Sequence, residues 1–210
     1  MLFAVPIGMS CDRPPRSAEE LPAPKNQPTT NAADTGSAVF ASGCFWCSEA
    51  VFQELKGVKE VVSGYAGGNK ETATYHQVSE GNTGHAEAIE ITYDPSKISY
   101  SELLHVFFAT HDPTTKDRQG PDWGRQYRSA IFYQNPEQKA AAEAYIKQLT
   151  DSKAFDKPIV TTLEPLDVFY PAEKYHQDFV SQNPNNPYVR QWALPKVEKV
   201  RDKFKDEVKP

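Results

Sequence analysis

The sequence predicts an α+β domain, because strand-like and helix-like patterns follow one another in the order β-α-β-β-α-β. Two helix starts in this order are well marked, one by the capping box of Ser99 and Glu102 and one by Asn135-Pro136. The order is that of a split βαβ unit. We therefore expect a ferredoxin-like mixed sheet at the core.

Each element follows from a local pattern, taken in chain order. Apolar residues recur at helical spacing over 44–56, and Gly57 suits the end of that helix. Residues 85–93 alternate between apolar and polar side chains and are closed by Asp94-Pro95, as in a half-buried strand. The predicted strands are 39–41, 58–63, 85–93, 127–133 and 159–166, and the predicted helices are 44–56, 100–110, 137–149 and 172–181.

The N-terminal part differs in composition from the rest of the chain. Residues 12–37 are rich in Pro, Ala, Asn and Thr and carry no large apolar side chain after Leu21, so we interpret them as a linker. The expected division is a signal-like N-terminus and flexible linker at 1–37 and a catalytic domain with a helical or irregular tail at 38–210.

Cys11 follows a short apolar stretch and small residues, as at the end of a bacterial lipoprotein signal. On that interpretation the protein is exported and lipid-anchored through Cys11. The alternative is an incidental cysteine in a cytoplasmic protein, and the sequence leaves both open.

Composition excludes several classes of protein. The formal net charge of -5 argues against a sequence-independent grip on nucleic acid. No apolar run reaches the roughly 20 residues that cross a bilayer. The three cysteines do not indicate a disulfide framework, because they are few and an odd number cannot all be paired.

Cys44 and Cys47 form a C-x-x-C pair with Phe45 and Trp46 between them. At the N-terminus of a helix the Cys44 thiol is expected to have a lowered pKa, because free N–H groups stabilise the thiolate. Cys47 lies one turn further on the same face, within reach of a disulfide. A redox couple is favoured over half a zinc site, which would need further ligands, and over two buried structural cysteines.

Glu87 shares one face of its predicted strand with Ile89, Ile91 and Tyr93. On a core face its carboxyl would be desolvated, its pKa would rise, and it could act as a general acid. On a solvated face it would simply be exposed. The aromatic residues near these positions are open to the same double interpretation, as packing or as pocket walls: Phe45, Trp46, Tyr65, Tyr75, Trp123 and Tyr127.

Several motifs in a fixed order resemble the A-type peptide methionine sulfoxide reductases. They are GCFWC, SGYAGG, TGHAEAIEITYDP, HDPT and GRQYRSAIFY, and the likeness extends from Val39 to the YHQDF segment. The resemblance implies a two-layer α/β sandwich around a ferredoxin-like sheet. It also implies reduction of the S epimer of free and protein-bound methionine sulfoxide.

The resemblance assigns a role to each matching position. It makes Cys44 the nucleophile, Glu87 the acid that protonates the sulfoxide oxygen, and Tyr75 and Tyr127 hydrogen-bond donors to that oxygen. Phe45 and Trp46 would hold the methyl group, and Asp122 would bind the main-chain amine or amide of the substrate. No metal or flavin is implied. The Cys44 sulfenic acid becomes a disulfide that thioredoxin, or dithiothreitol in the test tube, reduces.

The sequence departs from many relatives, which keep resolving cysteines in the C-terminal tail. Val189 stands where some carry a cysteine, so we expect Cys47 to resolve the sulfenic acid of Cys44. Its rivals are Cys11 and direct attack by an external thiol. Two other functions are considered, a general thiol-disulfide oxidoreductase and a zinc- or peptide-binding module, but they leave the GHAE and QYRS motifs unexplained. We expect a monomer.

Overall fold

The computed structural model of the protein describes residues 21–25 and 35–210. Within these ranges, no helix is both long and apolar enough to cross a membrane. The predicted signal-like segment and Cys11 lie outside the described residues.

The described residues form strands and helices in a mixed α/β arrangement. The strands are β1 Gly36–Ser42, β2 Val58–Ala66, β3 Ala86–Tyr93, β4 Arg118–Gln119, β5 Asp122–Trp123, β6 Ser129–Tyr133, β7 Thr162–Pro165 and β8 Phe169–Pro171. The α-helices are α1 Phe45–Gln53, α2 Tyr75–Ser79, α3 Tyr100–Thr110, α4 Pro136–Asp151, α5 Phe179–Gln182 and α6 Leu194–Lys203.

Six of these strands make one mixed sheet in the order β7-β6-β1-β3-β2-β8. Only the β6–β7 pair is parallel among the pairs in the described sheet; the others are antiparallel. The strands β4 and β5 form a separate two-stranded hairpin. The central strand β1 is thus flanked by β3 and β6, and its C-terminal end leads directly into α1.

The two faces of the sheet are packed differently. In β1, Phe40 points into the main core, which the sheet shares with α1, α3, α4 and α6, whereas Ala41 belongs to a smaller cluster on the other face. In β3 the same alternation places Ile89 in the main core and Ala88 in the smaller cluster. Because side chains alternate with a period of two, Glu87 shares the face of Ile89 and points towards the helices.

The helix starts that the sequence marked are present. Ser99 and Glu102 form the predicted capping box at the start of α3, with both reciprocal hydrogen bonds made. The Asn135 side chain accepts a hydrogen bond from the Gln138 amide and caps α4, which has proline in its first turn. The helix α2, which lies between β2 and β3, was not expected from the pattern, and neither were the outer strand β8 and the β4–β5 hairpin.

The predicted helix over 172–181 is wrong. The segment contains a 3-10 turn at Lys174–His176 and the short helix α5, and the chain turns sharply between them. At that turn Asp178 has φ +54°, a left-handed conformation that a continuous helix cannot contain. Several other predicted elements are shifted at their ends, and the C-terminal tail forms α6 with Val197 and Val200 buried.

A short part of the predicted linker packs against the domain. Leu21 is buried in the main core, and the next residues run along α4. Tyr145 donates a hydrogen bond to the Pro22 carbonyl at 3.1 Å, and Gln148 donates to Ala23 at 2.7 Å while accepting from the Lys25 amide at 3.0 Å. We call Leu21–Lys25 the docked segment.

Replacing Leu21 with alanine is expected to lower the free energy of unfolding by about 2 kcal/mol. This is the low end for a buried leucine, because the docked segment can detach without unfolding the sheet. Urea denaturation of the full chain measures the change, with Lys25→Ala as a control because that side chain is exposed. An unchanged midpoint for Leu21→Ala would contradict packing of this segment in solution.

Candidate active site

Cys44 is placed at the head of α1 by a tight turn after β1. Gly43 has φ +91°, and a Cβ on this residue would lie 2.5 Å from the Gln119 side chain. Glycine therefore allows the turn both by its conformation and by its lack of a side chain. Cys44 then occupies the N-cap position of α1, next to the backbone amides of the first helical turn.

Cys44 and Cys47 are both buried and carry free thiols. The prediction of a lowered pKa for Cys44 is wrong for the protein without substrate. Burial raises its pKa well above the ordinary value, and its hydrogen bond with Cys47 and the charge of Glu87 raise it further. The same thiol–thiol hydrogen bond lowers the pKa of Cys47 to about 7, against the effect of burial. The two thiols therefore titrate as a pair, which loses its first proton near neutral pH and its second proton at a much higher pH.

Glu87 lies at the start of β3, only 2% exposed, directly opposite the head of α1. Its Oε2 accepts a hydrogen bond from the Phe45 amide at 3.0 Å, so the carboxyl is held beside Cys44. Burial raises the pKa of Glu87 to about 8, against the lowering effect of that hydrogen bond, and the charges of Asp122 and Cys47 raise it further. The core-face interpretation of Glu87 is confirmed, and burial favours the protonated form of this carboxyl at neutral pH.

Tyr75, Tyr127 and Asp122 come from three separate segments and converge on the same place. Tyr75 begins α2, Asp122 is in β5, and Tyr127 ends a 3-10 turn. Burial raises the pKa of each tyrosine, and the charges of Glu87 and Cys44 add to this effect for both. Burial also raises the pKa of Asp122. All eight predicted site residues are thus gathered around the head of α1.

Phe45 and Trp46 form part of an aromatic box that the sequence did not fully predict. The Trp46 indole stacks on Phe179 with 3.7 Å between ring centroids and 8° between planes. Its Nε1 donates a hydrogen bond to His176 Nδ1 at 3.1 Å. The His176 ring lies 5.0 Å from Phe45 and 4.4 Å from Tyr75, centroid to centroid. The YHQDF segment therefore supplies a wall of the pocket.

Tyr188 is a further pocket residue that the sequence did not predict, besides His176 and Phe179. Its hydroxyl donates a hydrogen bond to Asp122 Oδ2 at 2.5 Å, and it also interacts with the Cys44 thiol, where it opposes the rise in pKa. The signal that could have found it is weak, because a tyrosine in the polar stretch NNPYVRQ resembles any other tail residue.

Glu173 ties the tyrosines to the sheet. Its carboxylate accepts hydrogen bonds from the Tyr65 hydroxyl at 2.9 Å and from the Tyr75 amide at 2.9 Å. Tyr65 is directly opposite Glu87 in the register of β2 and β3. These contacts therefore fix the position of the start of α2, and with it Tyr75, relative to the Glu87 carboxyl.

This arrangement joins a thiol pair and a neutral carboxylic acid in an apolar, aromatic pocket. Such a pocket can attack an electrophilic atom and protonate the oxygen that the atom carries. In the part of the chain that the structure describes, no group of three or more His, Cys, Asp or Glu side chains is arranged to hold a metal ion.

The chain is similar to known proteins in both sequence and fold. Peptide methionine sulfoxide reductase MsrA 2 of Synechocystis is 56% identical over 88% of this chain and 86% of its own. The structure of methionine sulfoxide reductase A of Corynebacterium diphtheriae has a TM-score of 0.63 at 32% identity, covering 81% of this chain and 86% of that one. The reduced form of Mxr1 from Saccharomyces cerevisiae gives 0.66 at 32% identity, covering 74% and 90%. The family model for peptide methionine sulfoxide reductase matches residues 36–208, and the chain therefore belongs to that family.

Proposed function

We propose that the protein reduces the S epimer of methionine sulfoxide, free and within proteins, to methionine, and so repairs oxidised proteins. The observation that carries this proposal is the pairing of Cys44 with a buried, protonated Glu87 through the Phe45 amide. A sulfoxide sulfur is a poor electrophile until its oxygen gains a proton or strong hydrogen bonds. The pocket supplies a proton from Glu87 and hydrogen-bond donors for that oxygen, next to the Cys44 nucleophile.

In the first step the thiol pair carries one negative charge, the Cys44 proton passes to its hydrogen-bonded partner Cys47, and the Cys44 thiolate attacks the substrate sulfur. As the sulfur–sulfur bond forms, Glu87 gives its proton to the sulfoxide oxygen, and the hydroxyls of Tyr75 and Tyr127 donate hydrogen bonds to the same oxygen. The oxygen then passes to Cys44, while its bond to the substrate sulfur and the new sulfur–sulfur bond both break. The products are methionine and a Cys44 sulfenic acid, so the substrate is reduced by two electrons and the cysteine is oxidised by two.

The pocket selects the substrate by shape and by one charge. The rings of Phe45 and Trp46 surround the methyl group, while Asp122 accepts a hydrogen bond from the main-chain amine or amide of the substrate. With oxygen, methyl group and main chain each held on a different side, only one sulfur configuration presents its face to Cys44. This supports specificity for a single epimer, and the family resemblance implies that it is the S epimer.

Regeneration consumes an external dithiol. The Cys47 thiol attacks the Cys44 sulfenic acid, a disulfide forms and water leaves. Thioredoxin, or dithiothreitol in an assay, then reduces the disulfide and restores both thiols. Cys47 is favoured as the resolving residue because its thiol already hydrogen bonds with that of Cys44, which gives it a high effective concentration.

The test of the function is turnover of separated epimers. With dithiothreitol as reductant, the S epimer of N-acetyl-methionine sulfoxide is expected to be reduced at least about 100-fold faster than the R epimer, on the scale of a well-defined polar site. Chromatography of the methionine product measures both rates. Equal rates, or no methionine from either epimer, would refute the proposal.

Replacing Cys47 with serine is expected to abolish turnover supported by thioredoxin while leaving one methionine formed per enzyme. The Cys44 sulfenic acid then accumulates because its neighbouring thiol is missing, and a sulfenic-acid trapping reagent detects it by mass spectrometry. Cys11→Ser serves as the matched control, with wild-type turnover. Full thioredoxin-supported turnover by Cys47→Ser would make Cys47 structural and leave direct reduction or Cys11 as the route.

Several features of the whole molecule belong to the same proposal. The inner strand order β6-β1-β3-β2, with antiparallel neighbours, supports the ferredoxin-like description of the sheet and its sandwich of helices. The proposed division is an N-terminal region at 1–37, of which the docked segment and the first residues of β1 pack with the domain, and a catalytic domain at 38–210. The protein is proposed to act as a monomer without metal or flavin. Export with a lipid anchor on Cys11 in a bacterium is proposed for its location, with an incidental Cys11 in a cytoplasmic protein as the alternative.

A further inference from the structure

Glu49 has no part in the chemistry above, yet its carboxyl is buried directly behind the pocket. It lies one helical turn after Phe45 and Trp46 in α1, so it shares their side of the helix, and only 1% of it is exposed. Its Oε2 accepts a hydrogen bond from the Asp178 amide at 3.0 Å. The carboxyl therefore joins the helix that carries the pocket floor to the segment that supplies the pocket wall.

The turn that Glu49 holds is one that needs support. Asp178 has φ +54°, a conformation that residues other than glycine adopt at a cost. Neighbouring contacts clamp the same turn: Gln177 hydrogen bonds to both the amide and the carbonyl of Ser63 in β2, each at 2.9 Å. Gln53 donates to the Asp178 side chain at 2.7 Å, but at the exposed surface.

The residues on either side of this turn touch Trp46. Phe179 follows Asp178 and stacks on the indole at 3.7 Å, and His176, two residues before it, accepts the indole hydrogen bond. If the Asp178 amide loses its partner, the turn can relax, and both contacts with Trp46 loosen together. The shape of the methyl pocket then depends on a carboxyl that the substrate never touches.

We infer that Glu49 is a positioning residue that sets the pocket wall formed by His176 and Phe179 against Trp46, and thereby sets affinity and selectivity for the methyl sulfoxide. This inference rests on the proposed function, since it concerns the same pocket. It assigns no chemical step to Glu49, so the rate of reaction at saturating substrate does not depend on this carboxyl.

Two variants of Glu49 remove the oxygen that accepts the hydrogen bond from the Asp178 amide, and one variant keeps such an oxygen. Glu49→Ala and Glu49→Leu, of which the leucine variant keeps the volume, are expected to raise KM for N-acetyl-methionine S-sulfoxide about tenfold, equivalent to about 1.4 kcal/mol, with kcat within about threefold. An unpaired buried amide has an effect of this size. Glu49→Gln still accepts from the Asp178 amide and is expected to stay within about twofold of the wild-type KM.

A second readout separates positioning from general stability. In Glu49→Leu the preference for methionine sulfoxide over the larger ethionine sulfoxide is expected to fall at least about threefold, because the wall no longer closes on the methyl group. Combining Glu49→Leu with Phe179→Ala should add little to the KM of Phe179→Ala alone, since both act through one wall. Glu54→Ala is the matched control, a carboxyl at the end of the same helix that pairs with Arg201 at 2.6 Å.

Each outcome decides the matter. Wild-type KM and selectivity in a folded Glu49→Leu variant would overturn the inference, and so would a Glu49→Gln variant as impaired as Glu49→Leu. Loss of the native fold in both Ala and Leu variants would make Glu49 a general stability residue and overturn it as well. Failure of the proposed function is seen separately, as absence of sulfoxide reduction by the wild-type protein.

Discussion

Replacing Cys44 with serine is expected to lower turnover of methionine S-sulfoxide by about 10⁴-fold or more, with either thioredoxin or dithiothreitol. Serine keeps the size and the position at the head of α1, but its hydroxyl stays protonated at neutral pH and is a poor nucleophile for sulfur. No other group in the pocket can replace it, because Cys47 lies one turn further along the helix.

The measurement is single-turnover formation of methionine, quantified per mole of enzyme. Cys44→Ser should form none, whereas Cys47→Ser should form close to one equivalent. Urea denaturation is the control for folding, since a buried serine at a helix N-cap is well tolerated. If Cys44→Ser forms more than a few per cent of the wild-type amount of methionine in a single turnover, Cys47 is the nucleophile and the proposed mechanism is refuted.

Replacing Glu87 with glutamine is expected to lower kcat/KM at pH 7 by about 100-fold, the usual contribution of a positioned general acid. The glutamine oxygen can still accept the hydrogen bond from the Phe45 amide, so the pocket keeps its geometry and loses only the proton. Glu90→Gln is the matched control: Glu90 lies on the opposite face of the same strand and is half-buried.

The pH profile gives a second test of Glu87. Because burial raises its pKa to about 8, the reactive protonated form is present below that pH and lost as pH rises through it. On the acid side, the rate should rise through about pH 7 as the thiol pair loses its first proton. We expect a bell-shaped kcat/KM, and the Glu87→Gln variant should lack the alkaline fall. A fall near pH 8 that persists in Glu87→Gln would assign it to another group.

The same carboxyl makes the protein less stable at alkaline pH. The folded protein binds a proton at Glu87 that the unfolded chain releases above about pH 4.3. Stability contributed by this group is therefore complete below about pH 4.3 and is lost progressively as pH rises from there through about 8. Glu87→Gln should accordingly be more stable than the wild type at pH 8 and nearly equal to it at pH 4, as urea denaturation at both pH values would show.

Sequence patterns predicted the elements that have their own local signals. The capping box of Ser99 and Glu102 and the alternation of β3 depend on residues a few positions apart, so they can be read without the fold. The alternation of side chains along β3 already placed Glu87 on the same face of the strand as Ile89. Its burial could not be decided in this way, because the covering helix α1 comes from a distant part of the chain.

The features that sequence analysis missed depend on distant contacts. The turn at Asp178 breaks a segment of good helical composition because Glu49, Gln53 and Ser63 hold it from α1 and β2. The raised pKa of Cys44 follows from burial by the folded chain, whereas only the helix N-terminus is visible in the sequence. Tyr188 reaches Asp122 across 66 positions, a contact with no local pattern.

The docked segment sets a length scale for the whole enzyme. Cys11 and Leu21 are ten positions apart, which a fully extended chain spans in at most about 35 Å. Without docking, the reach from Cys11 to β1 at Gly36 would be about 85 Å. If Cys11 carries the lipid, a short tether keeps the catalytic domain close to the membrane. The oxidised proteins that it can repair are then those that come within a few nanometres of the bilayer.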